Sequence, residues 1–188
     1  MTWSEVLPTA IAATPSIVVA IVNLLVLNRN QRKQLQQNEN RLEVDSISKQ
    51  LTDFYYPYTI LAKENTALYR VFSEPHLKAN PDFRTLIELL NDKAFSPNDS
   101  AFIKKIIEND KKLNDLISLK GYLVNDEALK DLLVRSSTHY SIISMAFDKE
   151  VTGEAERFVS YVHPNEVFER VEKERISLEK RIEALKNA

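Results

Sequence analysis

One stretch of this chain is almost wholly apolar, whereas the remainder mixes apolar and polar positions with a helical period. Residues 6–27 contain no charged side chain. As a helix, these roughly 22 residues would extend about 33 Å, which is enough to cross the hydrocarbon core of a bilayer. We therefore predict a transmembrane helix over residues 6–27 and a short N-terminal segment, residues 1–5, before it. A peripheral helix or a buried core helix is the alternative for this run.

The charges on either side of the apolar run set its expected orientation. Glu5 precedes it, and Arg29, Arg32 and Lys33 follow it. A cleaved export signal would carry its positive charges before the apolar run, and spanning helices place positive charge on the cytoplasmic side. We therefore expect a single-pass protein of the inner (cytoplasmic) membrane, with residues 1–5 extracytoplasmic and the C-terminal bulk in the cytoplasm.

A single amide lies in the inner half of the apolar run. Asn23 would be costly against lipid, but amides of associated spans can hydrogen-bond to one another, at about 1 kcal/mol. Asn23 is therefore our candidate residue for transmembrane assembly, and it favours a homo-oligomer.

The polar part of the chain predicts one helix after another. Residues 28–53 are glutamine-rich and carry a narrow apolar stripe, which is typical of a stalk helix that pairs with other helices. The stripe consists of Leu35, Leu42, Ile47, Leu51 and Phe54. Residues 54–188 have wider apolar faces and predict a cytoplasmic helical-bundle domain. The predicted fold class is all-α, with one N-terminal transmembrane helix, a helical stalk and this domain.

Helix-capping and helix-breaking residues set the expected boundaries within the domain. The stretch SEPHLKANP, residues 73–81, predicts a loop, with Pro81 opening the next helix. Ser96 and Asn125 are the expected N-caps of two later helices. The short apolar run FVSYV, residues 158–162, is long enough for a strand but has no obvious partner strand.

Composition excludes several classes of function. The chain has no cysteine and only two glycines, which excludes thiolate metal sites and argues against Rossmann and P-loop nucleotide sites. Its three histidines lack a metal-binding spacing, and no GxSxG motif occurs. The net charge of −2 gives no sign of binding to duplex nucleic acid. We therefore expect a protein that is not an enzyme and that needs no cofactor or metal.

A polar insert within an apolar helix face is the first candidate ligand site. In VRSSTHYSIISM, residues 134–145, His139 falls near the centre of the apolar face, and Arg135 lies four residues before it. Arg135 could bind a phosphate, while His139 or Tyr140 could stack on a base. The alternative for His139 is an ordinary core histidine.

A pair of lysines is the second candidate. Lys104 and Lys105 recur seven residues later as Lys111 and Lys112, which gives a basic strip two helical turns long. Such a strip could hold an anionic ligand or the headgroups of membrane lipid. The alternative is a solvated helix face, since acidic residues are interspersed.

The layout as a whole resembles a known family. An N-terminal span, a polar stalk, the helix start FYYPY at residues 54–58 and the helix LLVRSSTHYSIISMAF at residues 132–147 are similar in arrangement to small bacterial membrane-anchored proteins with helical cytoplasmic domains. Among these, the chain resembles the membrane effector of type III CRISPR systems that is switched on by cyclic tetra-adenylate. The resemblance implies antiviral defence, a tetramer, a cytoplasmic domain that binds this cyclic oligonucleotide, and perturbation of the membrane on activation.

Two hypotheses of different classes follow from these observations. In the first, the protein is a ligand-gated membrane effector, and the expected ligand contacts are Arg135, His139, Tyr140, Lys104 and Lys105. In the second, it is a non-enzymatic membrane tether or scaffold that recruits a protein partner through its charged C-terminal helix.

Overall fold

The computed structural model describes residues 3–187, and the side chains of these residues except 3–18, 20 and 21. Within that range the chain is all-α: six α-helices are joined by short 3-10 and π-helical segments, and no β-strand occurs. The predicted fold class is confirmed at this level.

The helices follow one another with short connections. The α-helices are α1 Trp3–Gln50, α2 Tyr56–Ala79, α3 Thr85–Leu90, α4 Pro97–Lys120, α5 Glu127–Phe147 and α6 Glu166–Lys186. A π-helical segment, Leu51–Tyr55, joins α1 to α2 without a break, and two 3-10 helices lie at Gly121–Leu123 and Ala155–Tyr161.

The predicted transmembrane helix lies mainly outside the described side chains, which begin within it at residue 19 and are continuous only from residue 22. The predicted extracytoplasmic segment, residues 1–5, lies outside them entirely. Among the residues that are described, no helix combines the length and the apolar character needed to cross a membrane. Asn23 is described, and its side chain is exposed.

Backbone contacts divide the chain into two compact units. The first comprises residues 1–46 and 185–188, and the second comprises residues 47–184. Residues 47–53, assigned to the stalk from the sequence, therefore lie in the second unit. The predicted stalk stripe is divided accordingly: Ile47 and Leu51 are buried there, whereas Leu35 and Leu42 of the first unit are exposed.

The second unit is built around α4, which packs against both α2 and α5. At the start of α2, Phe54, Tyr55 and Tyr58 are at most 1% exposed, and the rings of Phe54 and Tyr58 stack with centroids 5.7 Å apart. Burial of each such ring contributes on the order of 2 kcal/mol or more. The FYYPY sequence therefore anchors the start of α2 in the core.

Capping side chains explain two helix starts. Ser96 caps α4, as predicted, because its Oγ accepts a hydrogen bond from the Asp99 amide at 3.1 Å. The prediction of Asn125 as the cap of α5 is wrong by one residue. Asp126 is the cap, with Oδ1 accepting from the Leu129 amide at 3.2 Å.

The prediction of a loop over residues 73–81 is wrong, because α2 continues to Ala79 with Pro75 inside it. Tertiary packing offsets the local cost of the proline: His76 stacks on Phe83 with ring centroids 4.7 Å apart, and Phe72 is buried beside them.

Two other local predictions are also wrong. The next helix begins at Thr85 rather than at Pro81. The apolar run at residues 158–162 lies largely within a 3-10 helix, not in a strand.

Candidate ligand site

The polar insert of α5 lies on the buried side of the helix. His139 is 8% exposed and Tyr140 is 5% exposed, and their ring centroids lie 6.2 Å apart. They share their helix with buried apolar residues such as Leu133 and Ile143. The helical period that predicts α5 therefore also turns these two polar rings into the domain.

His139 is held in one neutral tautomer. Its Nδ1 lies 2.9 Å from the carbonyl oxygen of Tyr161. Because a carbonyl oxygen only accepts, Nδ1–H must be the donor, and Nε2 then carries no proton. Burial lowers the pKa of His139, against the opposing effect of this hydrogen bond. The imidazole is therefore neutral near pH 7.

Tyr140 connects α5 with two other elements. Its hydroxyl lies 3.2 Å from Nε2 of His163, whose ring stacks on the tyrosine at 5.6 Å, and it is also hydrogen-bonded to Tyr58 of α2. Burial raises the pKa of both phenols, in the case of Tyr58 to about 12. Burial, followed by the nearby His139, lowers the pKa of His163 to about 4. These rings therefore form an uncharged chain at neutral pH.

A buried carboxyl group lies where α2 meets α4. Asn65 donates a hydrogen bond from Nδ2 to Oδ1 of Asp110 over 2.7 Å, and Asp110 is only 4% exposed. Burial raises the pKa of Asp110 to about 7, although the Asn65 hydrogen bond opposes this. The charge of Asp110 in turn helps to raise the pKa of Tyr58 and of Tyr140.

These side chains form what we call the buried polar network. Its members come from α2, α4, α5 and the segment before α6, and they are Tyr58, Asn65, Asp110, His139, Tyr140 and His163. The network brings together α2, α4, α5 and the segment before α6 through side chains that can donate, accept or stack.

One further polar side chain has no protein partner within the described part of the chain. Asn109 is fully buried, and neither its Oδ1 nor its Nδ2 makes a hydrogen bond there. Oδ1 of Asn65 is unpaired in the same way. Buried groups of this kind are normally satisfied by protein, ordered water or ligand. The interior around α4 therefore retains unused hydrogen-bonding capacity.

The predicted cationic contacts lie at the surface. Arg135 is exposed and pairs with Glu166 at 3.7 Å. Lys105 pairs with Glu64 of α2, also at 3.7 Å, and Lys104 is exposed. The five predicted contact residues therefore fall into a buried pair, His139 and Tyr140, and three surface cations on α4 and α5.

Several network members were not predicted as site residues. Asn65 occupies a position on the apolar face of α2, and a polar residue at such a position could have been recognised from the helical spacing. His163 had no such signal, because it lies in an irregular segment and meets Tyr140 only through the fold. The same holds for Asp110, which looks like one of many acids on a charged helix.

The hydroxyl groups around His139 are occupied rather than activated. Ser136 donates to the Leu132 carbonyl oxygen at 2.9 Å, Thr138 donates to the Val134 carbonyl oxygen at 3.0 Å, and Ser137 donates to Asn114 of α4. A catalytic hydroxyl would instead need a base within hydrogen-bond reach. Across the described residues, no cluster of three or more histidine or carboxylate side chains is placed to hold a metal ion.

The chain matches no family model, no curated protein and no solved structure. The site combines aromatic and imidazole rings, which can stack on a planar group, with uncharged hydrogen-bond donors and acceptors.

Proposed function

We propose that this protein is a membrane-anchored effector of antiviral defence. Its cytoplasmic helical domain would bind a cyclic oligonucleotide, cyclic tetra-adenylate, and this would cause the anchored helices to perturb or open the membrane. The observation that carries the proposal is the position of Tyr58 in the buried polar network. This residue lies near the start of α2, which continues α1 through the π-helical segment without a break. The proposed change in the contact between Tyr140 and Tyr58 would therefore act at the start of α2.

The surface of α1 supports the membrane part of the proposal. Every side chain from residue 22 to residue 39 is exposed, and among them Leu24, Leu25 and Leu27 are each more than half exposed. Consecutive apolar side chains around a whole helix require a cover of lipid or of other helices. The cations from Arg29 onward follow at the end expected to face the cytoplasm. The proposed anchor is residues 6–27, and Asn23 is its proposed contact in a tetramer.

The chemistry of α5 supports the ligand part. An adenine base can stack on the rings of His139 or Tyr140, and a phosphate can bind the guanidinium group of Arg135. The ion pairs of Arg135 and Lys105 are exposed, and such pairs contribute only about 0–1 kcal/mol. Exchanging their carboxylates for phosphates therefore costs little. In a symmetric oligomer, one ligand on the axis would collect Arg135, Lys104 and Lys105 from several copies.

A thermal-shift titration of the full-length protein in lipid nanodiscs tests the ligand. Cyclic tetra-adenylate is expected to raise the melting temperature, and linear tetra-adenylate is expected to do so much less. Arg135→Ala should weaken binding by about tenfold or more, since a charge-assisted contact is worth about 1.5–3 kcal/mol. Lys78→Ala is the matched control, because Lys78 is likewise an exposed cation in an ion pair, with Glu74. If cyclic tetra-adenylate produces no shift at saturating concentration, the ligand part of the proposal fails.

Membrane extraction tests the anchor. The protein is expected to stay in the membrane pellet after washing with alkaline carbonate, and a variant lacking residues 6–27 is expected to be released. Release of the full-length protein by the same wash would refute the anchor. Crosslinking of Asn23→Leu against the parent then tests assembly, with weaker oligomers expected for the variant.

A tether or scaffold function is the second candidate, and one surface of α6 favours it. Ile176 is 42% exposed and lies in a shallow groove with Phe168, Lys173 and Lys180. Helix-in-groove partners recognise apolar residues set among charges in this way. Ile176→Asp should abolish activity in cells if α6 recruits a partner, whereas a ligand-gated effector should tolerate it.

A further inference from the structure

We propose that residues 149–163 form a lid over His139 and Tyr140, and that opening of this lid uncovers the ligand-binding face of α5. The inference rests on the proposed function only for the identity of the ligand. The proposed movement itself rests on the contacts, exposure and backbone conformation of the lid.

The lid covers the two rings while burying little of itself. Tyr161 places its carbonyl oxygen on Nδ1 of His139, and His163 stacks on Tyr140. Both covered residues are at most 8% exposed. By contrast, no residue of the 3-10 helix Ala155–Tyr161 is buried. Closure of the lid therefore buries the two rings on α5, while the lid itself buries little apolar surface.

The attachments of the lid are few and local. Gly153 donates a backbone hydrogen bond to the Leu90 carbonyl oxygen at 2.8 Å, and Lys149 pairs with Asp92 on the exposed surface. Val151, Ala155 and Phe158 pack against the core that includes α3, and none of the three is fully buried. Segments with few buried contacts open at a lower free energy than the global unfolding of the domain. The lid is therefore expected to open while α4 and α5 remain folded.

Backbone conformation marks the hinge at the start of the lid. Lys149 and Glu154 have φ values of 63° and 47°, and Gly153 has a φ of 73°. Residues other than glycine rarely adopt this left-handed region, and they hold it only where the surrounding structure imposes it. Opening the lid would let Lys149 and Glu154 relax, which lowers the free-energy cost of the open state.

The uncovered face has the chemistry of a nucleotide site. Opening frees the Nδ1–H donor of His139, the hydroxyl of Tyr140 and one face of each ring. Arg135 lies one helical turn earlier on α5 and is already exposed. An aromatic base stacked on the rings, with a phosphate at Arg135, would satisfy all of these groups. The ligand class is therefore a nucleotide or cyclic oligonucleotide rather than a metal or an apolar molecule.

Hydrogen exchange of the full-length protein in nanodiscs, followed by mass spectrometry without ligand, tests the lid. Tyr140→Phe keeps the ring but loses the hydroxyl at His163. Amides of residues 155–163 are expected to exchange about three- to tenfold faster, the effect of one lost hydrogen bond, while α4 is unchanged. Tyr69→Phe, on α2, is the matched control. Unchanged exchange in the lid overturns the proposal, and so does an equal increase in α4, because the lid would then not open independently.

The two glycines of the chain provide a second, backbone-level test. Gly153→Ala would place a Cβ in open space but at a left-handed φ of 73°, so the variant should open the lid more often. Gly121→Ala is the control, since its φ is −58° and its Cβ would meet only ordinary contact with Ile117 at 3.9 Å. Equal lid exchange in the two variants contradicts the hinge.

Addition of cyclic tetra-adenylate separates the lid from the ligand. If the ligand binds and changes exchange in residues 155–163, both proposals stand. If it binds without any change there, the lid does not control the site and the inference fails. If it does not bind at all, the proposed function fails, and the lid is judged by the experiments without ligand.

Discussion

The second unit contains two clusters of histidine with aromatic rings, and they differ in what faces the imidazole. His76 stacks on Phe83 and lies near Phe72 and Phe95, with its Nε2 3.4 Å from the carboxylate of Asp99. His139 and His163 instead face Tyr140 and a backbone carbonyl oxygen. A phenol and a carbonyl oxygen in the interior favour a neutral imidazole, in line with the lowered pKa values of His139 and His163.

Histidine therefore serves packing in one cluster and hydrogen bonding in the other. Around His76 the neighbours are large apolar rings, and the histidine acts as one more ring. Around His139 the polar contacts are the Tyr161 carbonyl oxygen and the rings of Tyr140 and His163, so a change at one member can be passed to the next.

The largest effect is expected from Phe83→Ala in the His76 cluster. Phe83 is fully buried, and removal of its ring leaves a cavity between His76 and Phe95. We expect the free energy of unfolding to fall by about 3–5 kcal/mol, measured by urea denaturation at pH 7. A loss below about 1 kcal/mol would mean that this cluster is not a packing core.

Asp110→Asn should change the pH dependence by nearly as much. The folded-state pKa of Asp110 is raised from 3.8 to about 7, so the folded state binds the proton more tightly. Protonation of Asp110 therefore contributes up to about 4 kcal/mol to the free energy of unfolding. This contribution is complete below pH 4 and is lost as pH rises to about 7. The variant should lack this loss and be more stable than the parent at pH 8. Asp115→Asn, on the exposed side of α4, should keep it.

His163→Phe should have an effect of opposite sign over an overlapping range. The folded-state pKa of His163 is lowered from 6.5 to about 4, so the unfolded state binds the proton more tightly. The parent therefore gains stability from this group as pH rises from 4 to 6.5, by up to about 3 kcal/mol.

In the parent, Asp110 acts against His163 between pH 4 and 6.5, and the lowered pKa of His139 acts in the same direction as that of His163. Relative to the parent, the His163→Phe variant should lose stability with rising pH, and Asp110→Asn should gain it. His76→Gln is the control for both series. If His76→Gln changes the profile as His163→Phe does, the distinction between the two clusters is wrong.

The smallest effect is expected from Ser96→Ala at the edge of the His76 cluster. Ser96 caps α4 and also donates to Asp99, the carboxylate beside His76. Loss of an N-cap costs about 1 kcal/mol, and thermal unfolding at pH 7 measures it. An unchanged melting temperature would show that the Asp99–His76 contact holds the helix start without the serine.

Some of the fold and less of the site could be predicted from the sequence. Periodicity found α5 and put His139 at the centre of its inner face, and capping chemistry found Ser96. These signals are local, and they operate within one helix. The predicted end of α2 is wrong because Phe83, eight residues beyond Pro75 in the connection to α3, packs on the last turns of the helix.

The buried polar network could not be predicted from the sequence for a related reason. Tyr140 meets His163 across 23 positions, and Asn65 meets Asp110 across 45. No local pattern encodes such pairs. The sequence also suggested that Arg135, Lys104 and Lys105 act together with His139, since cations and rings suit one ligand. Burial separates them within one chain, and only the joint action of several copies or an opened lid would reunite them.

Asn109 carries a consequence for the evolution of this domain. A fully enclosed amide without a protein partner occupies a position where leucine, with the same number of non-hydrogen atoms, would add apolar burial without an unsatisfied group. The asparagine therefore forgoes stability that a single substitution could supply, as residues kept for activity commonly do. Asn109→Leu should raise the melting temperature and weaken the proposed response to ligand.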